Sequence, residues 1–218
     1  MTDLIIDYLY KEEGDYIHRN PTEDDITSPG GIYRKEHPEA TIWEYIDYVA
    51  NDLGLLVSSE YWTQEDIDLV NQHIDKDVIR ELVKEFYDIY LKGAHLDLFN
   101  DELKIVILNF YTNSNVGCWK SIQRSIWDLY EERLINVDEE QISIVDGAFG
   151  YKTQVCLKII KEQDITLNTL FKYMILENML TYYSKLATTY PERYGMYLSN
   201  WTKRVNRLKG LKTKGIEL

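Results

Sequence analysis

Apolar residues recur every three or four positions along most of this chain, the spacing that places them on one face of an α-helix. The first apolar stripe ends at Gly14, and the clearest one runs from Val78 to Ile89 and stops near Gly93. Stripes of the same kind predict further helices over residues 42–53, 119–130, 151–162 and 166–188. The pattern therefore predicts a mainly α fold.

Three helix starts carry their own signals. Thr41 and Glu44 have the spacing of a capping box, in which each side chain bonds the backbone N–H of the other residue. Thr63 and Asp66 indicate the start of a further short helix. A proline suits the first turn of a last helix, because its missing N–H would find no partner there. That last helix would start at Pro191 and have these residues on its buried side: Leu198, Trp201, Val205 and Leu208.

Two stretches depart from helical periodicity. Residues 103–111 are apolar nearly all round and fit either a buried strand or a central helix. Residues 15–40 are polar and hold three of the four prolines, which predicts a long loop with room for a small hairpin. Asp146 and Gly147 mark a turn ahead of the helix predicted over residues 151–162.

Composition narrows the class of protein. A chain of 218 residues suffices for one or two domains with a real core. The formal net charge of -13 argues against a nucleic-acid partner, since nucleic acids require clustered Lys and Arg. No apolar run approaches the roughly 18 residues that span a bilayer, and the first residues lack the basic segment of a signal peptide. We therefore expect a protein made in the cytoplasm without a membrane span.

No cofactor or metal motif stands out. The four histidines are scattered, no two share a helix face at a spacing of four, and no glycine-rich phosphate loop occurs. Cys118 and Cys156 lack metal-ligand spacing and are expected to be free, buried thiols. We expect neither a metal nor a cofactor.

Glu13 is the strongest candidate for catalysis. It lies where the first apolar stripe stops, and a Pro29-Gly30-Gly31 turn follows. A carboxyl group half-shielded by a helix end can have a raised pKa, because low-dielectric surroundings disfavour its charge. A carboxylic acid that keeps its proton near neutral pH can protonate the leaving oxygen of a glycosidic bond. The structural alternative is a solvated helix end.

Glu13 begins a series of short motifs. In chain order they are Glu13-Gly14-Asp15-Tyr16, Asn20-Pro21, Ser28-Pro29-Gly30-Gly31, Phe86-Tyr87-Asp88-Ile89-Tyr90, Asn109-Phe110-Tyr111-Thr112-Asn113-Ser114, Gln123, Val145-Asp146-Gly147-Ala148-Phe149-Gly150-Tyr151-Lys152-Thr153, Tyr182-Tyr183, Pro191 and Asn200-Trp201-Thr202-Lys203-Arg204-Val205. This series resembles the phage and bacterial muramidases of glycoside hydrolase family 108. The chain departs from the family pattern where Asp15 replaces a Gly, Ser28 an Asp, Tyr33 a Thr and Asn115 a Gly. The loop between Glu13 and Gly30 also carries extra residues, including Glu23-Asp24-Asp25.

The resemblance implies a lysozyme-like helical fold, and it favours the helix for residues 103–111. It implies a catalytic half over residues 1–117 and a peptidoglycan-binding-like half over residues 118–218. The implied activity is hydrolysis of the β-1,4 bond between N-acetylmuramic acid and N-acetylglucosamine, with Glu13 as general acid. The implied setting is a phage endolysin, or a virion-associated lysin among other virion proteins, acting at the periplasm and cell wall.

The second catalytic group stays open among Asp15, Asp24, Asp25 and an ordered water, and the acidic residues also fit a solvated loop. The substrate would be the glycan strand of peptidoglycan. The following residues are expected to bind it: Asp15, Tyr16, Asp25, Gly30, Gly31, Tyr33, Asn113 and Ser114. A catalytically inactive structural or glycan-binding virion protein is the alternative, since the positions that shape the cleft differ from the family pattern.

Overall fold

The computed structural model describes residues 3–20, 25–55 and 58–210 of the chain. The protein is mainly helical, as predicted, and forms two compact units that divide between Tyr90 and Leu91. We refer to them as the N-terminal and the C-terminal unit. No helix among the described residues is long and apolar enough to cross a bilayer.

The N-terminal unit contains four helices and one hairpin among its described residues. These are α1 (Asp3–Glu13), β1 (His18–Asn20), β2 (Asp25–Thr27), α2 (Thr41–Asp52), α3 (Gln64–His73) and α4 (Lys76–Tyr90). Its core is built by isoleucine and valine from every helix and from β2, including Ile6, Ile26, Ile46, Ile67 and Val83. Because α1 and α4 pack together, the end of α1 is brought near the long amphipathic helix.

The hairpin expected within residues 15–40 is present. β1 and β2 pair antiparallel, with His18 opposite Thr27. Thr27 forms a further bridge with Tyr33, and the Arg34 N–H donates to the carbonyl of Ile26 at 3.1 Å. The chain therefore folds back on the hairpin directly after the Pro29-Gly30-Gly31 turn.

The helix starts predicted at Thr41 and Thr63 differ in their caps. Helix α3 begins after Thr63, as predicted, and Thr63 and Asp66 exchange both hydrogen bonds of a capping box. The capping box at Thr41 is wrong, because α2 already begins there and its N-cap is Ala40, which makes no side-chain bond. Ala40 holds the extended backbone that an N-cap requires, so Thr41 lies one residue too late to serve as the cap.

The C-terminal unit is built around one long helix. Its helices are α5 (Asp101–Asn113), α6 (Asn115–Glu131), α7 (Tyr151–Lys161), α8 (Ile165–Thr189), α9 (Pro191–Tyr194) and α10 (Leu198–Lys209). α8 packs against α5, α6, α7 and α10. The apolar stretch 103–111 is helical and buried on most sides within α5, which settles its ambiguity in favour of a central helix.

The last helix is not continuous. Pro191 occupies the first turn of α9, as predicted, but a 3-10 turn at Gly195–Tyr197 separates α9 from α10. Glycine favours such an interruption because it stabilises a helix poorly. Val205 and Leu208 are buried as expected, whereas Leu198 and Trp201 are half-buried.

The unit boundary lies ahead of the division expected after residue 117. That position falls inside α6, and α5 packs against both α6 and α8. The central helix therefore belongs with the C-terminal unit. Cys118 and Cys156 are buried and form no disulfide, as predicted.

Candidate functional site

A backbone hydrogen bond connects the end of α1 to the Ser28–Gly31 turn. Gly14 follows Glu13 with a φ of +90°, and its N–H closes the helix on the Tyr10 carbonyl at 2.9 Å. The carbonyl of Gly14 then accepts from the N–H of Gly30 at 2.9 Å. This bond places the turn directly beside Glu13.

The turn itself follows from its sequence. The Gly31 N–H donates to the Ser28 carbonyl at 3.1 Å, which closes a four-residue turn. Proline at its second position and a glycine of φ +75° at its third are the requirements of a type II turn. The turn predicted at Pro29-Gly30-Gly31 is therefore present.

Both glycines also allow close approach by side chains. A Cβ on Gly31 would lie 2.8 Å from Cγ of Glu13, and a Cβ on Gly30 would lie 2.8 Å from Cγ1 of Val83. Real Cβ contacts are longer, so neither position has room for a side chain. The methylene groups of Glu13 therefore rest on the backbone of the turn, and its half-buried side chain is held at the helix end.

Tyr87 holds the turn from α4. Its side chain is buried, and its hydroxyl donates to the carbonyl of Gly30 at 2.8 Å. Burial raises the pKa of Tyr87, and the negative charge of Glu13 raises it further, followed by Tyr90 and Tyr33. The carboxyl group of Glu13 and the phenols of Tyr33 and Tyr90 therefore lie around this hydroxyl.

Sequence reasoning missed Tyr87 as a site residue. The sequence places it only within the Phe86-Tyr87-Asp88-Ile89-Tyr90 motif. The available signal was the spacing of Val83 and Tyr87, which lie one helical turn apart on the buried face of α4 and both contact Gly30.

An aromatic wall, which we define as His37, Phe86 and Tyr90, lies next to Tyr87. The ring of His37 meets Phe86 at 4.9 Å and Tyr90 at 5.5 Å, and Phe86 stacks on Tyr90 at 5.5 Å. The His37 N–H donates to the carbonyl of Tyr33, which links the wall to the bridge after the turn. All three rings are half-buried, so each presents part of its surface to solvent.

Two of the candidate second carboxylates have partners. Asp25 is buried, and its two oxygens accept from the backbone N–H groups of Ile26 at 2.8 Å and Lys35 at 3.1 Å. It lines a pocket of about 220 Å³ with Arg34. Asp15 is exposed and pairs with Lys76 at 3.1 Å. Asp24 lies outside the described residues.

Three further predicted residues, Tyr16, Asn113 and Ser114, make contacts within their own units. Tyr16 is 54% exposed, with its ring 5.4 Å from that of His18. Asn113 belongs to the C-terminal unit, where its amide donates to the Asn109 carbonyl at 2.7 Å. Ser114 caps α6, and its hydroxyl lies 2.8 Å from that of Tyr182.

Two motifs of the C-terminal unit, Gln123 and residues 145–153, meet in a hydrogen-bond network. Buried Gln123 donates to Asp146 and to the Ala148 carbonyl, both at 2.9 Å, and accepts from the Gly147 N–H at 2.8 Å. The N–H of Ala148 and then the amide of Gln123 lower the pKa of Asp146. Gln123 therefore stabilises the turn predicted at Asp146 and Gly147. In the motif series, these three residues have a structural role.

Within the described part of the chain, no group of three or more His, Cys, Asp or Glu could hold a metal ion. The chain matches no protein-family model, no curated protein and no solved structure.

Proposed function

We propose that this chain is a peptidoglycan hydrolase that cleaves the β-1,4 bond between N-acetylmuramic acid and N-acetylglucosamine. The observation that carries the proposal is the contact between Glu13 and Gly31. Two segments that together resemble the family 108 motif lie against each other at the end of α1. A helix end that is only solvated requires neither this contact nor the hydrogen bond from Tyr87 to Gly30 that holds the turn.

Glu13 would act as the general acid. The role requires a carboxyl group that is fixed in position and holds its proton at the pH of the reaction. Gly31 and the helix end fix the methylene groups of Glu13, and the buried phenol of Tyr87 borders it on one side. Proton donation to the glycosidic oxygen then breaks the bond through an oxocarbenium-like transition state.

The second group would be Asp15, Asp24 or an ordered water. Asp25 is less suited, because both of its oxygens already accept from backbone N–H groups. The glycan strand would lie along the aromatic wall and Tyr33, since sugar faces stack on partly exposed rings. The proposed setting is a phage endolysin or a virion-associated lysin that acts on the cell wall, in the latter case among other virion proteins.

The second candidate function is a catalytically inactive protein that keeps this site, as a structural or glycan-binding virion component. Two observations favour it. Tyr33 stands where the family pattern has Thr, and Asp25 is committed to the backbone of the loop. Such a protein would bind glycan without releasing reducing ends.

The test is incubation of the full chain with purified Gram-negative peptidoglycan from about pH 4 to about pH 8, the range in which a general acid of this kind operates. We expect reducing ends to be released, with N-acetylmuramic acid at the new reducing end when the products are analysed by mass spectrometry. Sedimentation of the protein with peptidoglycan and no release at any pH would favour the inactive alternative. Release with N-acetylglucosamine at the reducing end would contradict the proposed linkage.

A further inference from the structure

A groove of about 390 Å³ runs along α6 and α8 in the C-terminal unit. Three cationic side chains line it: Lys120 and Arg124 from α6, and Lys185 from α8. Among the described residues that line this groove there is no carboxylate. The chain as a whole carries a net charge of -13, so a cationic groove is not a consequence of its composition.

Two side chains of this groove, Lys120 and Tyr182, are held in place by the surrounding structure. The aliphatic part of Lys120 crosses Gly147, where a Cβ would lie 3.1 Å from both its Cγ and its Cε. Gln123 fixes that glycine through the Gly147 N–H. On the opposite wall, the hydroxyl of Tyr182 is held at 2.8 Å from that of Ser114.

Two of the three cations, Lys120 and Arg124, lie close enough along α6 to repel each other. Lys120 and Arg124 are four residues apart and share a helix face, where like charges destabilise the helix. Within the described chain, no salt bridge joins Lys120, Arg124 or Lys185 to a carboxylate. Asp146 interacts electrostatically with Lys120, but its Oδ1 accepts from Gln123 and from Ala148.

We propose that this groove binds a phosphate ester of a sugar or polyol. Three cations are better matched by a phosphate dianion than by a carboxylate, which carries a single negative charge. The planar guanidinium of Arg124 can also donate to two phosphate oxygens at once. The hydroxyl of Thr181 donates to the Glu177 carbonyl, which leaves it able to accept from a hydroxyl of the ligand. The ring of Tyr190, which is 56% exposed, lines the same groove and offers an apolar face for the sugar or polyol part of the ligand.

The assignment is independent of Glu13 and is tested by calorimetric titration of the full chain at constant ionic strength. The probes are glucose 6-phosphate, inorganic phosphate and glucose. We expect saturable one-site binding of glucose 6-phosphate, weaker binding of inorganic phosphate, and none of glucose. Arg124→Gln should weaken the binding of glucose 6-phosphate by about tenfold or more, since a charge-assisted hydrogen bond is lost.

Lys158→Gln is the matched control, because Lys158 is an exposed cation of α7 that does not line the groove. It should bind glucose 6-phosphate as the native chain does. The substituted side chains are exposed, so an unchanged melting temperature shows that each variant is folded. Absence of saturable binding, or equal affinity in Arg124→Gln and Lys158→Gln, would overturn the site. Equal affinity for inorganic phosphate and glucose 6-phosphate would overturn the claim that the groove recognises the sugar or polyol part of the ligand.

Discussion

Glu13 lies against Gly31 so closely that a single methyl group on the glycine would stand 2.8 Å from the Cγ atom of the glutamate. The two residues belong to different segments, a helix end and a type II turn. The backbone hydrogen bond between Gly14 and Gly30 holds those segments together. The position of the proposed acid is therefore set by a glycine, and substitutions at this glycine should displace the acid without altering its chemistry.

Gly31→Ala is the direct test of that relationship, with Gly54→Ala as its control. The two glycines have φ values of +81° and +80°, so alanine should cost each about 1–2 kcal/mol of unfolding free energy. Only at Gly31 would the new Cβ meet Glu13, since nothing lies within 4 Å of a Cβ on Gly54. We expect Gly31→Ala to lose about a hundredfold in hydrolysis rate, the effect of a misplacement of about 1 Å. Equal rates in the two variants would contradict the positioning role.

Tyr87→Phe and Tyr10→Phe form a second matched pair, because both rings flank Gly30. Loss of the Tyr87 hydroxyl leaves the Gly30 carbonyl without its 2.8 Å donor, which should cost about 1 kcal/mol of unfolding free energy. The Tyr10 hydroxyl is buried without a hydrogen-bond partner, so its removal should be neutral or stabilising. Urea denaturation measures both changes. A larger loss in Tyr10→Phe than in Tyr87→Phe would contradict this assignment.

Tyr10 also predicts how stability depends on alkaline pH. Burial raises its pKa from the ordinary 10.0 to about 12 in the folded protein. The folded state therefore holds a proton that the unfolded state releases between these two values. Ionisation of Tyr10 therefore leaves the free energy of unfolding unaffected below about pH 10 and lowers it as the pH rises through about 12.

Unfolding free energies measured across this alkaline range should fall less steeply in Tyr10→Phe than in the native chain. Tyr87, Tyr183 and Cys118 are among the groups whose pKa values burial also raises, and they would contribute to the slope that remains. An unchanged slope in Tyr10→Phe would show that the Tyr10 hydroxyl ionises alike in both states.

Gln123→Ala should destabilise the C-terminal unit by about 2–3 kcal/mol, because it leaves the Gly147 N–H and the Ala148 carbonyl without their partner. Gln163→Ala is the control, since that exposed side chain bonds only the Ile159 carbonyl of its own helix end. It should change the unfolding free energy by less than about 0.5 kcal/mol. Urea denaturation followed by tryptophan fluorescence distinguishes the two, and equal losses would mean that the network adds nothing.

Much of the fold could be predicted from local pattern. Helix α4 and the Asp146–Gly147 turn form where the sequence places them, although Val78 and Ile89, the two ends of the predicted apolar stripe, are exposed. The starts of α2 and α3 show where local pattern fails, since Thr41 and Thr63 head similar four-residue motifs. Only Thr63 becomes an N-cap, because cap position depends on which residue leaves the helical backbone conformation.

The candidate site could be predicted in part. Glu13 and the Pro29-Gly30-Gly31 turn were visible because each is encoded within a few residues. Tyr87 was not, because its bond to Gly30 spans 57 residues and depends on how α4 packs. The backbone role of Asp25 was equally hidden, since one of its two donors lies ten residues away at Lys35.

The most direct test of the central claim compares Glu13→Gln with Glu12→Gln in the release of reducing ends from purified peptidoglycan. Both changes remove one carboxylate from the last turn of α1, but only Glu13 rests on Gly31. We predict that Glu12→Gln keeps the native rate, whereas Glu13→Gln abolishes release while still sedimenting with peptidoglycan. Release by Glu13→Gln at the native rate would show that another group is the acid and would contradict the account.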